Sequence, residues 1–347
     1  MKKQNGTINV IKFAGSLLIM LLHCAMYFGF PEFQGGWIMV EWFYIFAGFI
    51  ITAGIYSQTN DIPVWQSTWQ IIWKRVSSIY PYFFVSCLIG LGVKIWSGDI
   101  PPFSFTNFIP FASEFLMLQM TGLRNRTILG TSWFLSSMWI VLPFFIPCII
   151  RFKKNFSRLF ALVIPILIYG YIDKTYGYLW SPVDWLGICT KGTLRAVCGL
   201  CLGAVSYELS EILRNKLNKP LLESIVVYVA YLLIFVFMYR YDDSLMYYFI
   251  PFIFTVLIAV TMSKKPGFDI PDNRFTRFLN RISMLLFLNH AYWVMAIQKV
   301  YPQWTIGSKM LASFITTAIS ILLVYVIAEL IKKIAKKTSY RSKCIDS

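Results

Sequence analysis

Charged residues are scarce in this chain, and the scarcity decides its class. Asp, Glu, Lys and Arg make up 14% of the 347 residues, whereas about a quarter is usual in soluble domains. Hydrophobic residues make up 57% and fall into separate runs, each of roughly 18–22 residues and so able to cross about 30 Å of hydrocarbon. The composition excludes a soluble globular protein and predicts an all-α, polytopic membrane protein with about ten transmembrane helices.

Acidic residues are half as numerous as basic ones, with 16 against 32 and a net charge of +16. A basic chain can indicate a nucleic-acid-binding protein. Here the basic residues instead cluster between alternate apolar runs, which is the pattern of membrane topology signals. We therefore expect the lipid bilayer as a partner, and no nucleic acid.

The apolar runs predict ten spans, at about 10–30, 37–57, 79–97, 131–150, 159–178, 192–209, 221–239, 245–263, 282–300 and 308–331. Most Lys and Arg lie in the segments that would share one side of the membrane, namely 1–9, 58–78, 151–158, 210–220, 264–281 and 332–347. The positive-inside rule then places both termini in the cytoplasm. The first run has no small-x-small cleavage pattern, which indicates a retained helix. We expect one integral-membrane domain, 1–347, with a short basic cytoplasmic tail at 332–347, in an inner or plasma membrane.

Seven cysteines are present, and Cys198 and Cys201 form a C-x-x-C within RAVCGLCLGAV. A metal or disulfide site is one interpretation. The apolar, glycine-rich setting favours the other, in which small residues let two helices pack closely. No metal is expected.

The chain has only two histidines, and both fall inside predicted spans. Ionisable residues in a membrane are costly and are functional candidates by default. His23 lies near the middle of the first span, and His290 lies in the ninth. A structural histidine held by a hydrogen bond is the alternative for both.

Lys12 precedes His23 by eleven residues, so the two share one helix face about 16 Å apart. This spacing suits a cytoplasmic donor with an anionic head and a long thin arm, such as acyl-coenzyme A. Lys74 and Arg75, in WKRVSSIYPYFF, are candidates to bind phosphates of the same donor. The alternatives are a snorkelling Lys12 and simple topology charges.

Glu41 lies about four residues into the second span, and a short connection joins that span to the first. The two spans would form a hairpin with Glu41 and His23 at similar depth. A carboxylate bound to one ring nitrogen would fix the tautomer of His23 and raise the basicity of the other nitrogen. The alternative is an interface residue at a helix end.

The longest segment predicted outside is about 98–130, and it contains Glu114, Arg124 and Arg126. It is either an amphipathic piece that lies in the interface or a lid over an outward-facing substrate site. The sequence leaves both interpretations open.

Together these motifs resemble the acyltransferase-3 family of integral-membrane acyltransferases, which O-acetylate cell-surface polysaccharides. The first family motif, Arg, ten residues and His, appears as KFAGSLLIMLLH; the second, V-D-L-F-F-V-L-S-G-F, appears as VEWFYIFAGF. The third, R-R-x-x-R-I-x-P-x-Y, appears as KRVSSIYPYF, and WFL at 133–135 and ISMLLFLNH match two further elements. Lys12 and Ser78 replace family arginines, and a lysine cannot bind a phosphate bidentately.

The resemblance implies an acetyltransferase whose donor is acetyl-CoA, held by Lys12, Lys74 and Arg75. His23, oriented by Glu41, would act as the general base on a sugar hydroxyl or carry the acetyl group transiently. The acceptor would be a surface polysaccharide or its lipid-linked precursor. The residues expected to bind the acceptor are Trp133, His290, Arg124 and Arg126.

Two alternatives stay open at this stage. A polysaccharide exporter would use the buried histidines and glutamate for proton relay or gating, although the sequence shows none of the paired, interrupted repeats typical of transporters. A transferase for succinyl or another short acyl group would use the same residues.

Overall fold

The computed structural model describes residues 5–58, 62–101, 105–123, 127–240, 245–263, 267 and 269–345, with side chains described outside 105–108, 110 and 336–345. These residues form the helices α1 Gly6–Phe28, α2 Met39–Tyr56, α3 Val64–Trp96, α4 Phe105–Phe115, α5 Trp133–Asn155, α6 Ala161–Tyr176, α7 Lys191–Leu213, α8 Pro220–Tyr239, α9 Met246–Ser263, α10 Arg274–Asn289, α11 Ala291–Val300 and α12 Ile306–Ile345. Short 3-10 helices cover Gln34–Ile38 and Gln119–Thr121, a π-helical turn covers Phe156–Phe160, and β1 Trp185–Leu186 pairs antiparallel with β2 Cys189–Thr190.

Eight helical segments within the described residues are long and apolar enough to cross a membrane, which confirms the all-α, polytopic class. One of them, Trp133–Tyr176, is 44 residues long and holds two predicted spans, separated near Lys153, where φ is 45°. The ninth predicted span is broken at His290, so neither α10 nor α11 reaches 18 residues. The count of ten and the placement of both termini inside stay predictions.

Some helix boundaries differ from the prediction. The third helix, expected from residue 79, begins at Val64, and α10 begins at Arg274 behind an Asn273 cap rather than near 282. The helix α12 continues through most of the predicted tail to Ile345. An apolar run predicts only the part of a helix that crosses the hydrocarbon. The backbone becomes helical earlier, after Pro63 in α3 and after the Asn273 cap in α10. The polar first turns of these two helices were therefore not predicted.

Close packing of α2 against α7 depends on glycine. A Cβ atom at Gly203 would lie 2.2 Å from the carbonyl oxygen of Ile45, and one at Gly48 would lie 2.3 Å from that of Leu200. The neighbouring Cys198 and Cys201 are free and buried. They flank Gly199, where an added Cβ would lie 2.3 Å from the Cβ of Tyr44, so the C-x-x-C lies within a closely packed stretch of α7.

The helices α1 and α10 pack side by side through a line of polar contacts. Three side-chain pairs join them: Lys12 Nζ to Asn280 Oδ1 at 3.0 Å, Ser16 Oγ to Ser283 Oγ at 2.8 Å, and His23 Nδ1 to His290 Nε2 at 3.1 Å. Residue numbers rise together in the two helices, so they run parallel. Parallel packing agrees with a first and a ninth span that start on the same side of the membrane.

Replacement of Gly203 by Ala should separate α2 from α7, because the added methyl meets backbone atoms of Ile45 and Phe49. We expect a lower yield of folded protein and a lower melting temperature in detergent. Gly54→Ala is the matched control, since nothing lies within 4 Å of a Cβ at that helical position, and it should be neutral or stabilising. Equal stability of both variants would contradict this packing account.

Candidate active site

A cavity of about 510 Å³ opens at the end of the bundle that the charge pattern places outside the cell. Helix α1 forms one wall through residues that include His23, and the 3-10 turn before α2 contributes Trp37. The remaining walls come from the segment before α5, the loop after α6, and Phe287 of α10. Gln34, Gln119, Thr127, Thr131 and Ser132 supply neutral polar groups to a lining that is otherwise mainly apolar.

The break between α10 and α11 places His290 beside this cavity. A helix that ends inside a membrane leaves carbonyl groups without intrahelical partners. Three side chains bind them here: Asn289 Nδ2 donates to Leu285 O at 2.8 Å, His290 Nδ1 lies 2.7 Å from Leu286 O, and Thr131 Oγ1 donates to Phe287 O at 2.9 Å. The backbone break is thereby satisfied by residues that also shape the site.

The contacts of His290 fix the tautomers of both histidines. A carbonyl oxygen only accepts, so Nδ1 of His290 carries the proton that it donates to Leu286 O. With neutral rings, Nε2 of His290 then accepts from Nδ1–H of His23, 3.1 Å away. This leaves Nε2 of His23 with a free lone pair, in a residue that lines the cavity. The arrangement is that of a general base with an oriented imidazole.

His290 therefore differs from its expected role. It was predicted to bind the acceptor, but its side chain is fully buried and both ring nitrogens are engaged, one by Leu286 and one by His23. Its position makes it a partner of His23 rather than a wall of the cavity.

The structure also corrects the expected position of Glu41. Its carboxylate is fully buried and forms an ion pair with Nε of Arg195, while Tyr169 Oη donates to its second oxygen at 3.0 Å. The position beside His23 Nδ1, where a carboxylate was expected, is occupied by His290. Helices α2, α6 and α7 meet at this ion pair.

Arg195 was not singled out from the sequence, although its signal was present. It is a charged residue inside a predicted span and begins RAVCGLCLGAV, the stretch that contains the C-x-x-C. Ionisable residues within a membrane are functional candidates, so the argument that applied to the two histidines applied to Arg195 as well. In the fold it is fully buried and reaches the cavity wall.

The predicted donor-binding cations lie at the other end of α1. Lys12 donates from Nζ to Asn280 at 3.0 Å and lies 5.0 Å from the Phe46 ring centroid. The charge of Arg75 acts on Lys12, which brings these two predicted residues together. Lys74 is exposed on α3. Lys12 and His23 thus lie on one straight helix, about 16 Å apart along its axis by the helical rise.

The segment before α5 forms a wall of the cavity through a buried carboxylate. Glu114 accepts hydrogen bonds from the backbone N–H groups of Ile128 and Leu129 and from the hydroxyl of Ser132. Burial raises the pKa of this carboxyl, against the opposing effect of those hydrogen bonds. The next residue, Trp133, was expected to bind the acceptor, and the structure places it in the lining of the cavity.

Part of the 98–130 segment thus packs on the site, through Gln119, Met120, Thr127 and Gly130. The two arginines that were expected to bind the acceptor, Arg124 and Arg126, lie outside the described residues.

A second support holds the loop after α6. The Asp184 carboxylate lies 2.8 Å from Nζ of the buried Lys191 at the start of α7. Partial burial raises the pKa of Asp184, but the hydrogen bond and charge of Lys191 hold it below its ordinary value. Trp180, Pro182 and Val183 of the same loop line the cavity.

Metal ligation is not suggested by the geometry. Across the described ranges, no three His, Cys, Asp or Glu side chains come together as a metal-binding group. The lining of the cavity offers the imidazole of His23, neutral polar groups and aromatic rings.

An imidazole beside a cavity within a helical membrane bundle, with cations towards the other end of the same helix, is compatible with an integral-membrane transferase. The class itself follows from comparison with known families, because residues 5–329 match the family described as an acyltransferase domain. The chain belongs to the acyltransferase-3 family and is a multi-pass membrane acyltransferase. Comparisons with curated proteins and with solved structures found no significant match.

Substitution of Glu114 by Ala should loosen the wall of the cavity, because two buried N–H groups lose their acceptor. The expected loss is about 1–3 kcal/mol of unfolding free energy, measured as a lower melting temperature in detergent, with acyl transfer reduced. Glu211→Ala is the matched control, since its pair with Arg214 is solvent-exposed and such pairs contribute about 0–1 kcal/mol. Equal melting temperatures for the two variants would contradict the proposed role of Glu114 in holding the cavity wall.

Proposed function

We propose that this protein transfers an acetyl group from cytoplasmic acetyl-CoA to a hydroxyl group of a surface polysaccharide or its lipid-linked precursor. The observation that carries the proposal is the His23–His290 pair, which leaves one imidazole nitrogen of His23 free beside an outward-facing cavity. Family membership supports transfer of an acyl group; the acetyl donor and the glycan acceptor are our inference.

The proposed chemical step uses His23 as the base. Its Nε2 removes the proton of the acceptor hydroxyl while the oxygen attacks the thioester carbonyl of the donor. The carbon–sulfur bond breaks, the new ester forms, and the thiolate leaves as the thiol with the proton from His23. His290 stabilises the transient imidazolium, because its Nε2 continues to accept from Nδ1–H of His23.

The donor would bind at the cytoplasmic end of α1. Lys12 and Arg75 lie near enough there for the charge of Arg75 to act on Lys12, and among the described residues no acidic side chain forms an ion pair with Arg75. Diphosphate and ribose phosphate groups suit such cations. The pantetheine arm would then extend along α1 towards His23, over the helical distance of about 16 Å.

Export of the polysaccharide is the second candidate, and one observation favours it. The discontinuity between α10 and α11 at His290 is a feature that transporters also use. A carrier would use the histidine pair for proton movement rather than ester formation, so acetyl content of the glycan separates the two functions.

His23→Ala should abolish O-acetylation of the surface glycan while leaving the protein at normal level in the membrane. General-base catalysis is worth about 10²–10⁴-fold in rate, enough to remove the modification. The measurement compares glycan acetyl content, by mass spectrometry and NMR, in cells with the intact gene, the deletion and the variant. Full acetylation in the variant would overturn the mechanism, and a normal glycan trapped inside the deletion strain would favour export.

His290 offers a graded test of the tautomer argument. His290→Leu removes the acceptor for Nδ1–H of His23 and should lower kcat with little change in the KM values. In His290→Gln a side-chain oxygen can accept that proton, and we expect higher activity than in the leucine variant. Identical kcat values for both variants at equal protein level would exclude the proposed role of His290.

Donor binding is tested at Lys12 and Arg75. Arg75→Ala and Lys12→Met should raise the KM for acetyl-CoA about 10- to 100-fold, as expected for loss of a charge-assisted hydrogen bond. Lys12→Arg should bind donor at least as well as the native chain, because the guanidinium can bind phosphate bidentately. Arg214→Ala, at an exposed pair, is the control. An unchanged KM in both loss variants would place the donor elsewhere.

A further inference from the structure

One buried arginine contacts all three tryptophans of the cavity wall. The guanidinium carbon of Arg195 lies 5.3 Å from the ring centroid of Trp37 and 5.4 Å from that of Trp133. Its Nη1 donates to the backbone oxygen of Trp180 at 3.1 Å. These tryptophans come from three separate segments, and each of them lines the cavity. Cation–π contact and a hydrogen bond through one group therefore set their relative positions.

The charge of this arginine is compensated from behind the cavity. Glu41 binds Nε of Arg195, and Tyr169 binds the other carboxylate oxygen. Both charged side chains are fully excluded from solvent. Burial of an ion pair contributes little net stability. The Glu41–Arg195 pair is better explained by the geometry that it imposes on the guanidinium. The geometry imposed here is that of the aromatic wall.

Two donors at this wall lack partners within the part of the chain that the structure describes. They are Nε1–H of Trp37 and one Nη2 of Arg195. Trp37 is 8% exposed and lines the cavity, so its N–H has lost water without gaining a protein acceptor. Buried donors without partners are costly and rare in folded proteins. The indole nitrogen is closed off from the cavity, so the part of Trp37 that a ligand can contact is its ring surface.

We propose that Arg195, held by Glu41 and Tyr169, is a positioning residue for an acceptor cleft formed by Trp37, Trp133 and Trp180. In this cleft a pyranose ring of the acceptor lies against the indole surfaces that face the cavity. Aromatic side chains with an apolar body and a polar handle suit a ring that is apolar on its faces and oxygen-rich at its edge. The proposal rests on the proposed glycan acetyltransferase function, and it names the surface that recognises the acceptor.

The first test replaces the indole of Trp37 by a smaller aromatic ring, which leaves less surface for a pyranose ring to lie against. Trp37→Phe in the full-length, detergent-solubilised protein should raise the KM for the acceptor about tenfold and leave the KM for acetyl-CoA unchanged. The probe is the unacetylated oligosaccharide released from the surface glycan of the deletion strain. Trp96→Phe is the matched control, because Trp96 is 53% exposed and lies outside the cavity lining. An acceptor KM equal to that of the control would overturn the role of Trp37.

The second test concerns Arg195. Arg195→Lys keeps the charge but cannot contact two indoles and the Trp180 carbonyl at once, so acceptor KM should rise although the ion pair persists. Single loss of either partner can prevent folding, because it leaves a lone buried charge. The double variant Glu41→Met/Arg195→Met avoids that charge and should fold, bind acetyl-CoA normally and bind acceptor weakly. Normal acceptor KM in both the lysine and the double variant would refute positioning by Arg195.

A binding measurement separates this inference from the proposed function. Titration of the His23→Ala protein with the oligosaccharide should change its tryptophan fluorescence, and Trp37→Phe in that background should weaken the response about tenfold. If His23→Ala retains full acetylation, the proposed function fails. If it abolishes acetylation while the Trp37 and Arg195 variants bind acceptor normally, the acceptor cleft alone fails.

Discussion

The end of α10 inside the membrane is the constraint on which the site depends. A helix that stops in an apolar medium must find donors for its last carbonyl groups, since water is not there to supply them. One of the donors used here is the imidazole of His290. Because that nitrogen is committed to a carbonyl, the other nitrogen can only accept, and His23 must turn its own proton towards it. A requirement of backbone chemistry thus determines which nitrogen of the catalytic candidate stays basic.

Two sets of polar interactions hold different helices together within the bundle. The contacts between α1 and α10 involve uncharged or singly charged groups, and they run from Lys12 at one end to His23 at the other. The Glu41–Arg195 pair lies on the other side of the cavity and organises the wall instead. Neither set requires a large apolar driving force, which helices lack in lipid. Close approach of α2 and α7 through Gly48 and Gly203 brings the ion pair into reach.

The sequence predicted the fold class and the family, and the structure shows which candidate residues it brings to the cavity. His23 and Lys12 could be singled out because helical spacing and membrane cost are local properties of the chain. The partner of His23 was misassigned, since Glu41 is the nearest acid along the sequence whereas His290 is brought in by a pairing across 267 residues. The start of α3 was missed because a polar helix outside the apolar run leaves no hydropathy signal. Trp37 and Arg195 were overlooked because tertiary contact alone relates them to the cavity.

The separation between the two histidines also has a consequence for biosynthesis. His23 enters the membrane early, yet its partner follows 267 residues later, which at about 5–20 residues per second is a delay of roughly 13–50 s. Until α10 is inserted beside α1, the imidazole of His23 has neither a fixed tautomer nor a completed cavity. The histidine pair therefore forms only when nearly the whole bundle has been inserted, so its assembly reports completion of the fold rather than of the first hairpin.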